Sequence, residues 1–203
     1  MAQSWQLMTT GVFENGGRSA GPETEIWQTD PRTLRDVVLD RAAMKARLGV
    51  YPSVERVWAL TLLGRSDQAV TEGHQLLNGS KEKFRPLLVL AHAYWYQYQW
   101  HEAALLQEEA LRLARTPARE ALVRYEIGRR FFDEGRYRDA AAEFDWASDL
   151  YRTAGHKRPA RASRQALEHT RKVLIAEHDN MPAVPVAPVL SPGEPPHTGE
   201  DPA

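Results

Sequence analysis

The stretch "GRYRDAAAEF", residues 135–144, decides the fold, because its pattern occurs twice more, earlier in the chain. "GRSDQAV" at 64–70 has the same Gly-Arg pair and the same gap from glycine to alanine. "YQWHEAA" at 98–104 places an aromatic residue, an acidic residue and two alanines in the same order. The alanines that anchor the three copies lie 34 and 37 residues apart: Ala69, Ala103 and Ala140. A period near 34 predicts a repeat protein built from similar units.

Helix-forming sequence surrounds these copies. Asp30-Pro31 and Thr116-Pro117 each place an N-cap residue before a proline at the first helical position. After Pro31, apolar residues recur at three- and four-residue steps until Gly49, which predicts a helix over 31–48. The same criteria predict helices at about 53–64, 67–78, 82–97, 100–114, 117–134, 137–154 and 158–177. Segments with strand-like alternation and hairpin turns are missing, so we expect an all-α fold without strands.

The composition argues against several classes of function. The 203 residues include 26 Lys and Arg against 27 Asp and Glu, so the chain as a whole offers no basic surface to nucleic acid. The absence of cysteine excludes thiolate nucleophiles and zinc–thiolate sites. The first residues lack a signal-peptide pattern, and no apolar stretch is as long as a membrane span. We therefore expect a cytoplasmic protein without membrane contact. Arginine makes up 21 of the 26 basic residues, which indicates a GC-rich bacterial genome.

The chain divides into three parts by composition. Residues 1–29 are rich in Gly, Ser, Thr and Glu, which predicts a flexible N-terminal arm. Residues 30–178 form the helical domain. Residues 179–203 contain seven prolines and neither Lys nor Arg, which predicts a disordered Pro-rich tail.

The helical domain resembles the tetratricopeptide repeat (TPR) family. In the unit at about 121–154, Ile127-Gly128 stands where the family has its Leu-Gly pair, and Gly135 is the hairpin turn. The units at about 84–117 and 50–83 match less closely, and Tyr98 replaces the turn glycine in the former. The resemblance implies a right-handed α-solenoid of about three stacked helix hairpins plus capping helices. Its structural positions are Gly64, Ala69, Tyr94, Ala103, Ala110, Gly128, Phe131, Gly135, Ala140, Phe144 and Ala147.

The resemblance also implies where a partner would bind. In such a solenoid the first helix of each unit lines a concave groove. The groove positions here are rich in aromatic residues and arginine, the types that dominate binding hot spots: Trp58, Arg85, Leu88, His92, Trp95, Tyr96, Tyr125, Arg129 and Phe132. The Lys and Asn clamp with which some family members hold chaperone C-termini is absent from these positions. We expect a scaffold that binds a protein or peptide partner. The alternative is that these side chains are packed beneath the N-terminal arm, another helix or a homodimer mate.

Motifs for catalysis and metal binding are missing from the sequence. The seven histidines include no pair four residues apart, and the chain has no HExxH, GxxxxGK[ST] or GxSxG motif. We therefore expect no catalytic residue, no cofactor and no metal site. A second hypothesis is nucleic-acid binding by the basic closing helix at 158–178, with Trp95, Tyr96 and Phe132 stacking on bases. A third, a specialised assembly chaperone, would use the same groove.

Overall fold

The computed structural model describes residues 26–180, and the predicted arm up to residue 25 and the predicted tail from residue 181 lie outside them. The described residues form eight α-helices and one antiparallel two-stranded sheet. In chain order the elements are β1 (Trp27–Thr29), β2 (Asp36–Val38), α1 (Arg41–Arg47), α2 (Ser53–Leu62), α3 (Ser66–Gly79), α4 (Phe84–Tyr96), α5 (Trp100–Arg112), α6 (Pro117–Asp133), α7 (Tyr137–Thr153) and α8 (Lys157–Asn180). The all-α class is confirmed. No helix in this part of the chain is long and apolar enough to cross a membrane.

The predicted helix over 31–48 is wrong in its first half, as is the prediction that strands are missing. Residues 26–39 form a β-hairpin in which Trp27 pairs with Val38 and Thr29 with Asp36. Asp30 does not start a helix, because its carboxylate accepts hydrogen bonds from the Arg32 amide (2.8 Å) and the Thr33 hydroxyl, and so closes a turn. The chain becomes helical only after Asp40, whose carboxylate caps the Ala43 amide at 2.9 Å. The last residues of the predicted arm are therefore a strand.

The second cap-plus-proline start is confirmed. The Thr116 hydroxyl accepts a hydrogen bond from the Arg119 amide at 3.2 Å, and Pro117 opens α6. Asp30-Pro31 and Thr116-Pro117 thus carry the same local pattern and adopt different structures. The residues that follow make the difference, because two β-branched valines enter a strand after the first pair.

One turn geometry recurs in four connections between helices, those of α2–α3, α4–α5, α6–α7 and α7–α8. Gly64, Tyr98, Gly135 and Gly155 all have a left-handed backbone, with φ of +74°, +60°, +76° and +76°. At each of them the amide of the next residue donates to the carbonyl five positions before it, as from Gln99 to Tyr94 and from Arg136 to Phe131. Tyr98 thus adopts the backbone that glycine adopts in the other turns, which agrees with its predicted place at a glycine position.

Small residues allow the helices to approach closely. The repeat alanines Ala69, Ala103, Ala110, Ala140 and Ala147 are fully buried. A Cβ added to Gly128 would lie 2.7 Å from the Phe144 ring, so a larger residue would clash there. Helices adjacent in sequence pack against each other from α2 to α8, and α2 also packs against α4. The α2, α4 and α6 helices place the predicted groove residues.

Candidate functional site

Most of the predicted groove residues lie beneath the chain's own hairpin. We call residues 26–39 the docking segment, and the side chains of α2, α4 and α6 that it covers the inner face. Trp27 packs edge-to-face on Trp58 of α2, with ring centroids 4.7 Å apart. At the other end of the segment, Leu34 is buried in one apolar cluster with Tyr125 and Phe132 of α6. The docking segment therefore extends across all three inner helices.

The inner face holds the backbone of the docking segment. The Tyr96 hydroxyl accepts a hydrogen bond from the Asp36 amide at 2.6 Å and donates one to the Asp36 carbonyl at 3.0 Å. Arg129 Nε donates to the Leu34 carbonyl at 2.7 Å. These groups satisfy backbone positions that the short β1–β2 ladder leaves open. The inner face thus binds this stretch much as a protein binds an extended peptide.

A buried ion pair fixes the centre of the segment. Arg129 Nη2 lies 2.9 Å from Asp36 Oδ1, and the two side chains are only 2% and 3% exposed. Glu126 adds a second carboxylate 3.3 Å from Arg129 Nη1. Burial alone would lower the pKa of Arg129, but the charges of Asp36 and Glu126 raise it above its usual value. Removal of Arg129 would leave both carboxylates without their cation inside the protein.

Arg35 lies in a cage of aromatic rings closed by one carboxylate. Its guanidinium carbon is 4.5 Å from the ring centroid of Tyr98, 5.0 Å from that of Tyr96 and 5.6 Å from that of Trp95. Arg35 donates through Nε and Nη2 to Asp133 Oδ2, and the Nε distance is 3.0 Å. Trp95 Nε1 donates to the same oxygen at 3.0 Å, which orients the carboxylate. The cage therefore combines cation–π contacts with a charge-assisted hydrogen bond.

His92 lies beneath the segment without a partner for one of its nitrogens. Its ring stacks at 4.4 Å from Tyr96 and meets Trp95 edge-on at 5.3 Å. Burial lowers the pKa of His92 to about 3, against the smaller opposing effect of Asp36. Its Nε2 makes no hydrogen bond to the described residues, and His92 lines a cavity of about 30 Å³, which is large enough for one water molecule.

The structure brings together most of the predicted groove residues, but not as an open surface. Seven of the nine are buried: Trp58, Leu88, His92, Trp95, Tyr125, Arg129 and Phe132. Tyr96 is partly buried, and Arg85 lies apart, 3.3 Å from Glu55. The alternative of packing beneath the N-terminal arm, predicted over 1–29, holds for Trp58, which Trp27 covers, whereas Tyr96 and Arg129 are covered by residues 34–36, outside that arm. Sequence reasoning missed Leu34, Arg35 and Asp36, since it assigned them to a helix, and it missed Glu126. The two valines that follow Leu34-Arg35-Asp36 were the feature of the sequence that could have indicated a strand here.

The docking segment and α8 leave space between them beside Tyr125 of α6. A pocket of about 430 Å³ lies there between the turn of the hairpin and the closing helix. Leu34 and Tyr125 line its apolar side, and His169 and Lys172 belong to its polar side. This volume is within the range of sites that accept a small ligand or a few side chains.

The basic residues of the closing helix are exposed, but the proposed base-stacking residues are not. His156, Lys157, Arg158, Arg161, Arg164, Arg171 and Lys172 are all exposed to solvent. Trp95 and Phe132 are buried, and Tyr96 is covered by Asp36 and Arg35. The stacking platform of the nucleic-acid hypothesis is therefore closed in this structure.

Residues 26–180 contain no group of three or more His, Asp or Glu side chains arranged to hold a metal ion. Comparison with family models, curated proteins and solved structures gives no match.

Proposed function

We propose that the protein is a non-catalytic interaction module, a right-handed solenoid of about three TPR-like helix hairpins whose inner face binds an extended segment of a protein partner. The pairs α2–α3, α4–α5 and α6–α7, with their repeated turn, support the three units. Buried small residues such as Ala103, Ala140 and Gly128 stand at the repeat positions and support the same assignment.

One observation carries the functional part of the proposal: the inner face already holds an extended segment. Three hydrogen bonds from Tyr96 and Arg129 go to backbone atoms of the segment, and the two from Tyr96, to the Asp36 amide and carbonyl in β2, are contacts that an extended chain of any sequence can offer. The Arg35 cage and the Arg129 guanidinium add side-chain selectivity. Hydrogen bonds to the backbone together with charged, oriented side chains are the means by which sites for extended peptides hold and select their ligands.

Site-specific photo-crosslinking tests this proposal. A photoreactive phenylalanine derivative replaces Tyr98 at the edge of the inner face, where the side chain is 62% exposed. The matched control places it at Leu105 on α5, which is 51% exposed. In the cells that make the protein, we expect protein adducts at position 98 that do not form at position 105. Equal labelling at both positions, or no adduct at position 98, would show that the inner face is not the binding surface.

A further inference from the structure

We propose that the docking segment is an intramolecular ligand, and that the partner displaces it with an extended segment carrying an apolar residue, an arginine and an acidic residue in succession. This inference rests on the proposed function and adds to it the chemistry of the partner and a mode of regulation. The model for the partner's segment is Leu34-Arg35-Asp36.

The position of Arg35 selects arginine over lysine. A planar guanidinium can stack on Tyr98 while its Nε and Nη2 both reach one oxygen of Asp133. A lysine ammonium is a point charge on a flexible stem, so it cannot stack its plane on a ring and form this fork at the same time. The cage therefore prefers a guanidinium among the cationic side chains.

The position of Asp36 selects a carboxylate. Once the segment leaves, Arg129 faces the inner face with Glu126 as its remaining acidic neighbour, and Asp133 loses its arginine. An incoming Arg–acidic pair restores both charge contacts without adding net charge. A segment with a neutral residue after the arginine would leave Arg129 short of one carboxylate in a site closed to water.

The docking segment has features of a ligand that can leave. Its two strands have three residues each, and such a hairpin is marginal on its own. Leu34 has φ of +57°, a left-handed backbone that is unfavourable for a residue with a Cβ. The segment precedes α1 and joins it at Asp40, so it can leave the inner face without unthreading any helix. A partner segment in relaxed extended conformation would avoid the strain at Leu34.

Tethering sets how strongly the segment competes. A short covalent connection gives an effective concentration on the order of millimolar, so a free peptide binds the wild-type chain with reduced apparent affinity. A change that weakens only the docking segment must therefore strengthen binding of a peptide supplied in trans. This relation separates an intramolecular ligand from a hairpin that is a permanent part of the core.

The test uses a fluorescent peptide with the sequence of residues 29–40, "TDPRTLRDVVLD", and three full-length chains: wild type, Arg35→Ala and Arg32→Ala. Arg32 is an exposed arginine of the same hairpin and serves as the matched control. By fluorescence anisotropy, we expect the Arg35→Ala chain to bind the peptide about tenfold more tightly than the other two. On that chain, a peptide with lysine at the Arg35 position should bind at least about fivefold more weakly.

Two results would overturn the inference: equal peptide affinity for the Arg35→Ala and Arg32→Ala chains, or equal affinity of the arginine and lysine peptides. Circular dichroism verifies that each variant is helical. If the Arg35→Ala chain is not helical, the Arg35→Lys chain takes its place. Lysine keeps the positive charge but cannot form the two hydrogen bonds to Asp133, so the same order of peptide affinities is expected. If crosslinking gives adducts at position 98 but the peptide experiment gives either of these two results, the protein is still an interaction module, and only the proposal of a partner with an Arg–acidic segment is wrong.

Discussion

Acidification should destabilise the protein through His92, because folding holds this side chain neutral in a site closed to water. Its pKa in the folded chain is about 3, below the usual value near 6.5. A folded-state pKa below the unfolded value means that the stabilisation is complete above about pH 7 and is lost as the pH falls from 6.5 toward 3. At about pH 5, roughly 1.5 pH units below the pKa of histidine in the unfolded chain, protonation of His92 stabilises the unfolded state over the folded state by about 2 kcal/mol.

The assay is urea unfolding, followed by circular dichroism at about pH 7.5 and pH 5, of wild type and His92→Phe. Phenylalanine keeps a ring between Trp95 and Tyr96, does not titrate, and can use the adjacent cavity of about 30 Å³. Wild type should lose about 2 kcal/mol more than the variant between the two pH values.

Other titrating groups do not disturb this comparison. Burial raises the pKa of Glu126, so this residue acts in the opposite direction, but it acts in both proteins. Asp36, Arg35 and Arg129 face His92 from the docking segment and α6, and they are present in both proteins. His101→Phe, the same replacement at an exposed position, is the control and should behave as wild type. If His92→Phe loses as much stability as wild type on acidification, His92 is not held neutral beneath the docking segment.

Three further predictions concern the turns, the helix packing and the closing helix. Gly128→Ala should lower the free energy of unfolding by about 1–3 kcal/mol because the added Cβ meets the Phe144 ring. Gly79→Ala is the control and should not lower it, since the space around Gly79 is open. Equal effects of the two substitutions in a thermal melt would contradict this packing. Tyr98→Gly should stabilise the chain by about 1 kcal/mol in an Arg35→Ala background, because glycine adopts the left-handed backbone of this turn without strain. The gain should be smaller in wild type, where the substitution also removes the contact between the tyrosine ring and the Arg35 guanidinium. Identical gains in the two backgrounds, measured by urea unfolding, would argue against the cage. The chain should show no nucleic-acid binding in a filter assay at about 50 mM salt, and tight, salt-dependent binding would restore the hypothesis based on α8.

The sequence predicted the helical array well because its determinants are local or periodic. The spacing of Ala69, Ala103 and Ala140 marks buried helix contacts, and these residues are fully buried in the structure. Tyr98 could be placed at a left-handed turn because the equivalent positions hold glycine. Each of these inferences needs only the identity of a residue and its distance from the next repeat.

The docking segment could not be predicted in the same way because its structure depends on distant contacts. Asp30-Pro31 fits both a helix start and a turn, and Val37 and Val38, which favour a strand, also fit the apolar spacing of a helix. Arg35 and Asp36 are held by Asp133 and Arg129, which follow them by 98 and 93 residues. The sequence identified most of the side chains of the inner face, but whether that face is open or covered depends on the conformation of a different segment.

The contact between Arg35 and Asp133 tests the central claim most directly. A double-mutant cycle with Arg35→Ala, Asp133→Ala and the double variant, measured by urea unfolding of the full chain, isolates their interaction free energy. The two side chains are each 16% exposed and joined by a charge-assisted hydrogen bond, so we predict a coupling of about 1–2 kcal/mol. A coupling below about 0.3 kcal/mol would mean that the docking segment does not lie on the inner face in solution.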